Sequence, residues 1–163
     1  MLPITEKDLR ASLINASLKE KSSVTLPSDF ADLNWDNLDY LGLRDRKLAN
    51  VGYVVVHLDD APVGILLRQA EAKPRSRALC SWCEDVQLPN DVVLFGAKRA
   101  GQAGRNGNTV GTLVCSNFEC SINVRKRPPV AYVGFDVEAE RIRRIEALRV
   151  HSANFVRGVL EGS

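Results

Sequence analysis

The chain has 163 residues, 45% hydrophobic and 26% charged, with a formal net charge of +2. That is enough apolar material for one packed domain, and the interspersed, nearly balanced charges exclude a protein that binds polyanions through bulk charge alone. The N-terminal residues Met1-Leu2-Pro3-Ile4 lack a basic segment followed by an apolar run, and the longest apolar stretches, 54–56 and 65–67, are too short to span a bilayer, so a cytoplasmic protein with no membrane partner is expected.

Thr5, followed three residues later by Asp8, has the form of a capping box, and Leu9, Leu13 and Ala16 continue at helical spacing. This predicts a helix over residues 6–20. In a reducing compartment the Asn15-Ala16-Ser17 sequon is a chance match. Pro27 and Ser28-Asp29 interrupt the chain. Residues 30–43 set Phe30, Leu33, Trp35, Leu38, Tyr40 and Leu41 among aspartates and asparagines, which reads as a short helix plus an irregular segment packed on the core. The aspartates there suit caps and turns better than acid/base chemistry.

Residues 51–58 are rich in β-branched side chains and form a predicted strand, with a turn at 59–62 and a return strand over 63–68. Pro74 and its charged neighbours mark a loop. Two more strands are predicted at 92–95 and 109–114. Between and within them Gly101, Gly104, Gly107 and Gly111 match neither a dinucleotide nor a P-loop pattern and read as a flexible hairpin tip. Pro128-Pro129 ends whatever follows Cys120, and 130–133 is a short strand candidate. Asp136 then caps a long helix reaching about residue 158–160, with Val137, Ile142, Ile145, Leu148, Phe155 and Val159 as its apolar stripe.

The four cysteines fall in two pairs, Cys80-Ser-Trp-Cys83 and Cys115-Ser-Asn-Phe-Glu-Cys120, with 31 residues between the pairs. Four thiolates at this spacing suit one tetrahedral Zn²⁺. Two disulfides, four buried thiols and a redox Cys-x-x-Cys are the competing readings; the first is disfavoured in a reducing compartment and the last leaves the second pair unexplained. Residues five apart on a helix point about 140° away from each other. Cys115 is therefore expected at a strand end and Cys120 in the first turn of a helix, whose N-terminus also favours thiolate charge. Knuckle, hairpin, strand end and helix start is the order of a treble-clef zinc finger. A closed four-sulfur site leaves no open position for water or substrate, so the expected zinc is structural and neither catalysis nor a small-molecule substrate is expected.

The runs 80–83, 90–95, 100–111 and 114–121 resemble the C-terminal treble-clef domain of elongation factor G-binding proteins, the FusB-type fusidic-acid resistance family and its shorter FBP-domain relatives. The likeness extends through Asn34-Trp-Asp-Asn-Leu-Asp-Tyr-Leu-Gly42, the Tyr53 hairpin and the C-terminal helix. It implies a single FBP-like domain over 1–163 with a treble-clef subregion at 79–127. It also implies zinc on Cys80, Cys83, Cys115 and Cys120, and a non-enzymatic protein that docks on elongation factor G and modulates its action on, or release from, the ribosome.

Two basic clusters flank the zinc motif in sequence: Lys98, Arg99 and Arg105 near the glycine tip, and Arg125-Lys126-Arg127 after the second pair. They are candidate contacts for an acidic protein surface or for ribosomal RNA, and an alternative reading is a zinc-stabilised RNA-binding module. Phe118, between two ligands, is read as a core residue of the finger. His57 and His151 have no catalytic spacing. The expected fold class is α+β: an antiparallel sheet with an N-terminal helix, an inserted four-cysteine treble-clef zinc finger and a long C-terminal helix.

Overall fold

Five antiparallel strands stand in the order in which the chain makes them: β1 (Leu41–Arg44), β2 (Val51–Leu58), β3 (Ala61–Gln69), β4 (Val92–Lys98) and β5 (Thr109–Cys115). The computed structural model describes residues 1–71, 78–85 and 90–161. The loop expected around Pro74 lies outside them. Two short N-terminal helices, α1 (Glu6–Ser12) and α2 (Leu18–Ser23), precede the sheet. Helix α3 (Gly101–Arg105) joins β4 to β5, α4 (Cys120–Arg125) follows β5, and α5 (Val137–Leu160) closes the chain. The α+β architecture expected from sequence is the one observed.

Both faces of the sheet are covered. Val51, Tyr53 and Val55 of β2 pack with Leu9 and Leu13 from the N-terminal helix region, whereas Val54, Val56 and Leu58 pack with Leu148, Val156 and Val159 of α5. A strand buried on both sides reads as a continuous apolar run rather than an alternating one. The β2–β3 turn is made by Asp59 and Asp60, both in the left-handed region at φ 49° and 62°, the geometry of a tight two-residue hairpin.

The predicted helix over 6–20 is broken in two. Ile14 N–H donates to the Gly64 carbonyl at 2.9 Å, and the Asn15 side chain bonds the N–H and C=O of Leu66 and the carbonyl of Lys98. The β3–β4 ladder pairs only Arg68 with Gly96 and Gln69 with Phe95, so Asn15 fills the gap where those strands separate. Ser17 then caps α2, with Glu20 completing a second capping box. Tertiary hydrogen bonds override helix periodicity here.

Three further expectations are corrected. Residues 30–43 hold two 3₁₀ turns, Phe30–Asp32 and Trp35–Asn37, and then β1, which is too short and too interrupted by Gly42 to announce itself. The glycine-rich tip is the helix α3, ended by Gly107 at φ 89°; a Cβ at Gly104 would lie 1.8 Å from the Arg99 carbonyl. Residues 130–133 pair with no strand. Asp136 caps α5 as expected, its carboxylate accepting from the N–H groups of Glu138 and Ala139, but Ile142 of the expected apolar stripe is half exposed.

Phe118 joins the sheet to the cysteine loop. It is buried, stacks on Phe95 with centroids 5.2 Å apart, and lies over Gly42 of β1 and Gly52 of β2. A Cβ at those positions would come within 2.4 and 2.8 Å of Phe118 atoms. The two glycines on neighbouring strands thus form a slot for the ring. Gly52→Ala is expected to lower stability by about 1–3 kcal/mol through overpacking, read as a shift in urea midpoint. The same substitution at solvent-facing Gly134→Ala tests backbone strain instead of crowding, because nothing lies within 4 Å of a Cβ there and φ is 86°.

Candidate metal centre

Three local devices place the four cysteines. Cys80 and Cys83 sit in a tight turn in which Cys83 N–H donates to Cys80 Sγ at 3.5 Å, while Ser81 N–H pairs with the Leu113 carbonyl of β5. Cys115 is the last residue of β5 and Cys120 the first of α4, as the spacing required. The Cys115–Cys120 loop reverses at Phe118, which holds φ at 60°.

All four sulfurs are buried and lie within 4.8 Å of one another. Cys80 Sγ is 3.6 Å from Cys120 Sγ, and Cys83 Sγ is 3.7 Å from Cys115 Sγ. Zinc–sulfur bonds of about 2.3 Å in a tetrahedron put the sulfurs about 3.8 Å apart. A disulfide needs about 2.05 Å. The set therefore fits one Zn²⁺ and does not fit two disulfides. Without a cation these thiols share charge unevenly. Hydrogen bonds from Cys115, Cys120 and Cys83 hold Cys80 far below the ordinary thiol range. Cys115, Cys80 and Cys83 push Cys120 far above it. A divalent ion removes this conflict by taking all four as thiolates.

The surrounding groups orient these sulfurs. Asn123, 1% exposed on α4, donates from Nδ2 to Cys115 Sγ at 3.5 Å and to Asn90 Oδ1 at 3.1 Å. Tyr40 is buried against the cluster with its hydroxyl 3.3 Å from the Phe118 carbonyl. Burial, and then the Cys120 sulfur, push its phenol well above the usual value, so it remains a protonated donor. Trp82, inside the knuckle, packs edge-on to Tyr40 and against Phe155 of α5, with centroids 5.1 and 5.7 Å away. His151 of α5 places Nδ1 3.0 Å from the Trp82 carbonyl, and Arg144 pairs with Asp85 just past the knuckle. Arg44 of β1 donates to the Ser116 carbonyl at 2.6 Å and lies over the Phe95 ring.

The sequence matches the family described as FBP C-terminal treble-clef zinc-finger over residues 8–159. The chain belongs to that family. Comparison with curated proteins and with solved structures found no match. Knuckle, β4–β5 hairpin and α4 are the three parts of the treble clef, and the zinc the family name implies is a single structural ion held by Cys80, Cys83, Cys115 and Cys120.

The FBP-family finger separates the two basic clusters. Lys98 pairs with Thr109 at one end of the β4–β5 ladder and Val92 with Cys115 at the other, a run of six residues and about 20 Å. Lys98, Arg99 and Arg105 sit at the end away from the sulfurs, with Arg99 donating to the Gly158 carbonyl and Arg105 to Gln102. Arg125 is not a free surface cation: it pairs with the fully buried carboxylate of Asp39 and bonds the Ser121 carbonyl. Arg149 closes the same carboxylate from α5 at 2.9 Å. Lys126 reaches Asn123 Oδ1 at 3.0 Å, and Arg127 is exposed. Sequence reading missed Asn123, Tyr40 and Asp39, because an asparagine on a short helix and a tyrosine and an aspartate before β1 carry no local pattern that points to sulfur.

Elemental analysis of purified protein is expected to give one zinc per chain. Asn123→Ala is expected to keep that stoichiometry while weakening zinc about 10–100-fold in a chelator competition. Unchanged zinc affinity in this variant would show that the amide contact to Cys115 does not tune the site.

Proposed function

We propose that this chain is a non-enzymatic cytoplasmic docking protein for translation elongation factor G, which it binds to modulate the factor's action on, or release from, the ribosome. The resemblance to elongation factor G-binding proteins supplies the partner. The observation that carries the reading is the buried, complete four-sulfur set within a family match over residues 8–159. With four protein ligands a zinc ion has no vacant position for water or substrate, so its contribution is shape. Both sulfur-bearing loops are anchored to the sheet, and the knuckle also to α5, so the finger presents a preformed surface rather than one ordered on contact.

Two features favour a protein over a nucleic acid as that partner. Arg125 is consumed by Asp39, and the remaining cations are divided between two ends of the hairpin. A phosphate backbone is best met by a continuous basic track.

The decisive experiment mixes zinc-loaded, nuclease-treated protein with purified elongation factor G and measures complex formation by size-exclusion chromatography with light scattering. A one-to-one complex is expected. Cys120→Ser, which opens the zinc site, is expected to lose it together with the metal. Absence of a complex with wild-type protein, or capture of RNA alone from untreated lysate, overturns the reading.

A further inference from the structure

Residues 128–135, Pro-Pro-Val-Ala-Tyr-Val-Gly-Phe, carry no charge in a chain that is 26% charged. They join α4 to α5 without strand pairing; Pro128 is buried, but Val130 is 58% exposed, Tyr132 65% and Val133 102%. The loop is nevertheless shaped. Phe135 N–H donates to the Tyr132 carbonyl, Gly134 turns the backbone at φ 86°, and the two rings meet edge-on at 5.4 Å. A contiguous exposed apolar segment of this kind marks a contact surface in a soluble protein.

Beside the loop lies a cleft of about 450 Å³, walled by the knuckle at Cys83, by α5 at Ala147 and by the loop itself at Pro129 and Phe135. Its charges are unevenly matched. Arg143 pairs with Glu140 and Arg144 with Asp85, so these cations are already compensated. At the cleft's remaining edge Lys126 meets only the neutral Asn123 oxygen, and among the described residues Arg127 has no carboxylate partner. The cleft lining thus carries four cations and three carboxylates, a surplus of one positive charge, with Lys126 and Arg127 together at one edge and the apolar Pro129, Ala131, Phe135 and Ala147 beside them. A polyanion is poorly served, because contacts to Lys126 and Arg127 alone give a small electrostatic gain.

We propose that this cleft and the 128–135 loop are the docking surface for elongation factor G, and that the segment seated there carries carboxylates flanked by apolar side chains. The proposal rests on the reading of the partner given above and adds the place and chemistry of contact. It also gives the zinc a role in binding. The knuckle is one wall of the cleft, so removing the metal removes the wall. The carboxylates meet Lys126 and Arg127 while Val130, Tyr132 and Val133 supply buried apolar area, the pairing of anchors and charged rim typical of protein interfaces.

Titration calorimetry of purified elongation factor G against zinc-loaded wild-type protein, Arg127→Glu, and Tyr132→Ser combined with Val133→Asp tests this. Lys126 is left intact because it touches Asn123. The matched control is Lys7→Glu with Lys19→Glu, on the N-terminal helices across the sheet. Zinc content and circular dichroism confirm folding of each variant. Each cleft variant is expected to bind at least about 10-fold more weakly, with the control unchanged. Wild-type binding that both cleft variants retain overturns the surface and leaves the partner standing. Failure of wild-type protein to bind overturns the partner as well. A steep salt dependence with RNA bound through Arg127, or self-association abolished by Val133→Asp, overturns the acidic protein segment in favour of RNA or a second copy.

Discussion

Four buried sulfurs around one divalent ion are the constraint on which the rest of this structure depends. The knuckle, the end of β5 and the start of α4 are short, and none has an apolar core of its own. Four thiolates buried within 4.8 Å of one another repel each other when no cation lies between them. Zinc turns that repulsion into the strongest local attraction in the chain, on the order of 10 kcal/mol or more of apparent folding free energy in small modules. It closes a link between residues 80 and 120 that no helix or hairpin could make.

The finger is not a freestanding appendage. Its hairpin is β4 and β5 of the same five-stranded sheet, Phe118 lies in a slot formed by Gly42 and Gly52, and Arg44 holds the Ser116 carbonyl. From the other side the Asp39 carboxylate, its side chain fully buried, is clamped by Arg125 of α4 and Arg149 of α5. A buried carboxylate is tolerable only when compensated in this way, and removing one partner leaves an uncompensated charge. Metal, sheet and C-terminal helix therefore support one another, and each sulfur loop has at least one anchor outside the finger.

Rigidity of this kind suits the docking role proposed for this protein. The exposed apolar loop after α4 is held between a metal-fixed helix and a capped one, so little ordering remains to be done when a partner arrives. The charges follow the same division. Arg44, Arg125 and Arg144 are engaged within the protein, while Arg127 stays exposed beside the loop. Which arginines are structural and which are available is a property of their partners, several dozen residues away in sequence.

That distinction separates what could be read from the chain from what could not. Sulfur spacing alone established the ligand set, the strand-end and helix-start positions of Cys115 and Cys120, and a hairpin between the pairs, because metal geometry permits few solutions at that spacing. Capping residues and β-branched runs established α5 and strands β2 to β5, because those signals are local. The break of the first helix at Asn15, the short edge strand β1, the helix α3 and the unpaired 128–135 loop were decided only in three dimensions. Asn15 left a helical pattern because two strand backbones needed its amide, and the β-branched residues after Pro129 formed no strand because the path from α4 to α5 gives them none to pair with. Asn123, Tyr40 and Asp39 acquired their roles in the same way: a hydrogen bond or ion pair across 8 to 110 residues has no periodicity by which a sequence could announce it.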